Sequence, residues 1–112
     1  MFSCDYKSIK VDAQVRRKYR NIKLRWLIGK ERGARHFAMR HVTIEPGKSP
    51  PAHMHPEDHQ LFFLKGKGVV QSGSEETKVG RGTFVFIPGG TEHVVTNSGR
   101  GPLEFICCVS ME

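Results

Sequence analysis

No stretch of this sequence stays apolar for anything like the ~20 residues that cross a bilayer as a helix, which sets helical membrane proteins aside. Cysteine is scarce. Cys4, Cys107 and Cys108 form a poor disulfide framework, because two are adjacent and neighbouring cysteines rarely reach the geometry of an ordinary bridge. Reduced thiols in a cytoplasmic protein are the simpler expectation. The amino terminus, Met1-Phe-Ser-Cys-Asp5, lacks the basic and then apolar leader of a secreted chain, so secretion is not expected. Internal repeats and low-complexity stretches are also missing. With 112 residues, 38% hydrophobic and 26% charged, the chain is sized for one ordinary globular domain and one core.

Charge is unevenly spread. Residues 1–50 hold 13 Lys/Arg against 4 Asp/Glu, whereas residues 51–112 hold 5 against 7. The densest basic run is Arg16-Arg-Lys-Tyr-Arg20, continued by Lys23 and Arg25. Such a run could meet nucleic acid, but no helix-turn-helix, zinc-finger or RNA-recognition pattern accompanies it. A solvated basic arm is the better reading, with no nucleic-acid partner expected.

Short apolar runs punctuated by glycine and proline indicate an all-β protein. Strands are expected at 22–28, 37–45, 60–65, 68–71, 76–79, 84–87, 93–96 and 103–109, with turns between them at the Gly- and Pro-containing segments. Only the region around residues 12–19 could form a short helix; otherwise it is an irregular arm. We therefore divide the chain into an arm, 1–21, and a barrel, 22–112.

Period-two alternation sets strand faces. His59, Leu61 and Phe63 share one face, with Phe62 and Leu64 on the reverse, so both faces of that strand are apolar. Covering the outer face by homodimerisation, with the arm crossing to a partner, would solve the resulting exposure. Arg40 alternates with Ala38, Val42 and Ile44. It either looks into the barrel and holds an anionic group or faces solvent with its stem along the sheet. Phe105 and Cys107 share a face and are candidates to line a cavity; Cys107 reads as a small buried hydrophobe unless a base or cation activates it.

The histidines carry the chemistry. His53, His55, His59 and His93 occupy two segments, Gly47-x5-His53-x-His55-x3-His59-x6-Gly66 and Gly82-x5-Pro88-x-Gly90-x2-His93-x3-Asn97. Imidazole is the commonest transition-metal ligand. Two histidines at i and i+2 on a strand present both rings to one point. A third reaches it past Pro56, and the fourth follows a turn that re-aims the chain. A chance gathering of surface histidines fits this pattern poorly. Gln60 competes with His59 as a ligand, but strand parity sets it on the other face. His36 and His41 read as ordinary strand residues, His41 being the one that could face the cavity, and Asn97 reads as a turn residue.

These two segments resemble the paired motifs of the cupin superfamily, and the resemblance spans about residues 22–109. It implies a double-stranded β-helix, or jelly-roll barrel, often dimeric, with metal ligation by His53, His55, His59 and His93. Most cupins carry a glutamate at the position of His59. Replacing it by imidazole raises the charge of the centre by one, removes a built-in carboxylate base and should raise the metal's reduction potential. The chain resembles small tetra-histidine cupins that bind manganese, with iron, nickel, copper or zinc as alternatives. In such relatives an arginine and a cysteine near the metal match Arg40 and Cys107, the candidate catalytic residues, with Phe105 in the pocket. The implied activity is a metal-dependent, dioxygenase-like oxidoreductase on a small organic substrate. A non-redox isomerase or lyase on a sugar or sugar acid, or a ligand-binding module, are the alternatives.

Overall fold

The computed structural model describes residues 1–47 and 56–111. Among the described residues, eight strands form two antiparallel sheets: β1 (Ile22–Ile28), β2 (Phe37–Ile44), β3 (His59–Lys65), β4 (Lys67–Ser72), β5 (Glu75–Gly80), β6 (Phe84–Ile87), β7 (His93–Asn97) and β8 (Leu103–Ser110). The larger sheet runs β1-β2-β8-β3-β6 and the smaller β5-β4-β7. This is the all-β jelly roll expected, with strand ends within one or two residues of those read from the sequence. Among the described residues no helix is long and apolar enough to cross a membrane.

Alternation holds where it was read. His59, Leu61 and Phe63 are buried while Gln60, Phe62 and Leu64 are exposed. The inner residues of both sheets, including Ile44, Phe63, Val70, Ile87, Leu103 and Phe105, form one continuous core. Gly66, between β3 and β4, adopts φ 91°, and a Cβ there would also overlap the carbonyl of Pro102. Both the turn and the close approach of β8 therefore require glycine.

The arm is more ordered than a solvated tail. Helix α1 (Ala13–Lys18) starts at Asp12, whose Oδ1 accepts from Gln14 N (3.0 Å) and Val15 N (3.1 Å). Asp12 Oδ2 also accepts from Trp26 Nε1 at 3.1 Å, and Asp12 N donates to Leu24 O at 2.7 Å. Val15 and Tyr19 pack against the core. Residues 12–19 thus close their own barrel. The basic residues Arg16, Arg17, Arg20 and Lys23 point to solvent, as expected of a solvated patch.

The Val15 amide first, and the Trp26 indole second, hold the Asp12 carboxyl below the usual carboxylate range. The charged cap's contribution is therefore complete above the unfolded carboxyl's value and is lost as pH falls through the lowered folded value. Asp12→Ala is expected to reduce stability by about 1 kcal/mol, as for other N-caps. Asp12→Asn should keep most of the cap and lose its acid dependence. Thermal unfolding followed between pH 3 and pH 7 checks both.

Two histidine readings need correction. His36 precedes β2 and is not a strand residue. His41 does not face the cavity. Arg40 points inward, so its neighbour points outward, where His41 is nonetheless only 2% exposed. Tyr6, in a 3₁₀ turn at Tyr6–Ser8, stacks on it with centroids 4.2 Å apart. Glu104 Oε1 lies 3.3 Å from its Nε2, yet desolvation dominates and holds the imidazole below its ordinary pKa. The rest of that outer face stays bare, with Phe62, Phe84 and Phe86 exposed.

Candidate metal centre and cavity

A cavity of about 410 Å³ opens between the sheets. Its apolar wall includes Val15 and Tyr19 of the arm, Val42, Ile44, Leu61, Ile87 and Phe105. Four polar side chains, Arg40, Cys107, His59 and His93, also line it. Strand order explains why Arg40 and Cys107 meet. Trp26 pairs with Arg40, Arg40 with Cys107, Cys107 with Leu61 and Leu61 with Val85, one inward-facing row across all five strands.

His59 opens β3 and His93 opens β7, so the two rings come from different sheets. They are 4% and 6% exposed, with centroids 5.2 Å apart. His93 Nδ1 lies 3.0 Å from Thr91 O. A carbonyl only accepts, so Nδ1 carries the proton and the ring's lone pair sits on Nε2. His59 Nδ1 lies 3.1 Å from Cys107 Sγ, which also accepts from Arg40 Nη2 at 3.0 Å. Arg40 Nη2 is 3.5 Å from His59 Nδ1, and its guanidinium carbon lies 5.3 Å from the Trp26 ring centre.

The expected ligands His53 and His55 lie outside the described residues. Among the described residues no group of three His, Cys, Asp or Glu forms a metal cluster. The end of that segment is tied to the second motif: Asp58 Oδ1 accepts from Gly89 N at 2.8 Å, and a Cβ on Gly89 would overlap Pro56 O. The Pro88-Gly-Gly90 turn that delivers His93 therefore packs against the approach to His59. Gln60 is exposed, as parity required.

Cys107 is buried and Cys108, on the other face, is half-buried; both are free thiols, as is Cys4. Burial pushes the Cys108 thiol up. Sequence reasoning missed Val15 and Tyr19 as cavity residues, although their i, i+4 spacing on a short helix was a usable signal. It also took Asn97 for a turn residue. Asn97 is fully buried and joins three segments, through Ile44 O, Gly101 O and Gly99 N.

The chain is 30% identical over 79 residues to the tetracenomycin polyketide synthase protein TcmJ of Streptomyces glaucescens, covering 70% of this chain and 53% of that protein. It thus spans about half the length of that relative. The polyketide cyclase RemF of Streptomyces resistomycificus has the same fold (TM-score 0.87, 23% identity), covering 100% of this chain and 80% of that one. So does a predicted oxalate decarboxylase of Thermotoga maritima (TM-score 0.82, 20% identity), covering 99% and 100% respectively. With the sequence model of the cupin domain (Cupin_2) matching residues 40–109, and the barrel and inward histidines in place, the chain belongs to the cupin family.

Proposed function

We propose that this cupin binds one divalent transition metal through His53, His55, His59 and His93, manganese being the expected ion, and oxidises a small organic substrate held in the cavity. The observation that supports it is the pair of buried imidazoles whose Nδ1 atoms are turned to protein groups, which suits Nε2 as the donor atom of each. Such an ion, when bound, supplies open coordination positions and redox capacity. The chain's residues do the rest. The apolar wall would keep water away from the substrate, Arg40 on that wall would hold a substrate oxygen, and Cys107 would fix the orientation of His59.

None of the described cavity residues is acidic, and residues 48–55, Lys-Ser-Pro-Pro-Ala-His-Met-His, contain no carboxylate. A proton-abstracting carboxylate would thus have to come from elsewhere, which weighs against an isomerase or lyase acting on a sugar acid. A second reading draws on the similarity to TcmJ, a polyketide synthase protein, and on the fold shared with the polyketide cyclase RemF: ring closure of a polyketone without net oxidation, with the metal and Arg40 polarising a carbonyl. Elemental analysis of the purified protein should find one divalent metal per chain. Oxygen uptake with phenolic and diketone substrates should then exceed that of metal-stripped protein. Metal-dependent turnover with no oxygen consumed favours ring closure. A protein that carries no metal, and takes up none from added Mn(II), overturns both.

A further inference from the structure

Arg40 is a full positive charge on the wall of an otherwise largely apolar cavity. Its Nη2 donates to the Cys107 sulfur at 3.0 Å and lies 3.5 Å from the His59 ring nitrogen, and neither group offers a compensating negative charge in the neutral form. Its Nε is buried without a hydrogen-bond partner, and no carboxylate pairs with it among the described residues. Removing a cation from water without an anion is unfavourable, and a bound anion relieves it. The remaining wall, from Val15 and Tyr19 across Val42 and Leu61 to Phe105, offers few hydrogen-bonding groups. Its volume of about 410 Å³ is within the usual range for small-molecule sites.

We infer that the cavity selects an amphipathic monoanion, an apolar body carrying one carboxylate, enolate or phenolate, with its charged oxygen on Arg40. A dianion lacking an apolar body would leave the wall unfilled, and a sugar would set most of its hydroxyls against the apolar side chains of the described wall. The inference rests on the cavity being the substrate site, as proposed above, but the Arg40 contact does not require the metal.

The test uses the full chain as purified, with 1-naphthoate, its neutral isostere 1-naphthamide, and oxalate as probes in titration calorimetry. Naphthoate should bind at least about 10-fold more tightly than either of the others, the scale of one charge-assisted hydrogen bond. Arg40→Met should lower naphthoate affinity by about 10-fold or more and leave naphthamide within about twofold; Arg40→Lys, which keeps the charge, should recover part of the loss. Arg40→Gln serves if the methionine variant does not fold. Equal affinity for naphthoate and naphthamide, or naphthoate binding unchanged in both Arg40→Met and Arg40→Gln, overturns the inference. Metal content measured on the same samples keeps a failure of the metal reading distinct from a failure of this one.

Discussion

His93→Ala is expected to lower the affinity of the protein for Mn(II) by more than about 100-fold, beyond the ~10–100-fold lost when only an outer hydrogen bond to a metal ligand is removed. His59→Ala should do the same. The magnitude follows from how each ring is held. His93 donates Nδ1–H to Thr91 O, which fixes ring and tautomer together, so its loss removes a donor atom already aimed at the cavity. The side chains are buried, but the sheet ladders are made by backbone groups that truncation leaves in place, so the barrel should survive. Circular dichroism and a cooperative thermal transition check that it does. Cys107→Val, which keeps the volume but removes the acceptor of His59 Nδ1, should fall between wild type and the ligand variants. Cys107→Ser should stay closer to wild type, because a hydroxyl still accepts. His41→Ala is the control: equally buried, on the opposite face, and expected to leave Mn(II) affinity unchanged. A chelator competition assay ranks all five. Unaltered affinity in both His59→Ala and His93→Ala would remove the metal centre from the proposed function.

The contrast between His41 and His93 shows what a sequence can and cannot convey. Alternation along β2 sets Arg40 and His41 on opposite faces, which is local and readable, but it does not say which of the two turns inward. The burial of His41 is not local. It arises because Tyr6, 35 positions earlier, folds back onto it, and nothing in either neighbourhood encodes that contact. The same holds for Arg40 and Cys107. Alternation grouped Cys107 with Phe105 but left Arg40 facing either the barrel or solvent, and their adjacency depends on β8 inserting between β2 and β3, a pairing of distant segments. The inward placement of His59 was the most legible, since spacing and parity both selected it over Gln60. The arm was least legible. Its charges suggested solvent, while the two apolar residues that close the cavity, Val15 and Tyr19, were hidden among them.

Asn97→Ala should be among the most destabilising single changes in the protein, at about 3 kcal/mol, although its position at the end of a strand before a glycine-rich turn suggests a replaceable residue. Asn97 is 0% exposed. Its Nδ2 donates to Ile44 O at 2.8 Å and Gly101 O at 2.9 Å, and its Oδ1 accepts from Gly99 N at 2.9 Å. Truncation strands two carbonyls and an amide. Water can reach the two groups in the part-buried turn, but not the buried carbonyl of Ile44, so the loss falls short of three full desolvation penalties of about 1–3 kcal/mol each. For a domain of this size the expected fall in Tm is on the order of 15 °C. Asn97→Asp, nearly isosteric, should be no better, because its carboxylate would set oxygen against the carbonyls of Ile44 and Gly101. A fall of less than about 3 °C in Asn97→Ala would mean that the three bonds are individually replaceable by water. The metal centre should be less affected than the fold. Gly47 N, where the described chain meets the segment bearing His53 and His55, donates to the backbone carbonyl of Asn97 at 3.0 Å, a bond that the substitution leaves in place. Well below its lowered Tm, Asn97→Ala should therefore bind Mn(II) within about twofold of wild type, separating a staple of the barrel from a ligand of its cavity.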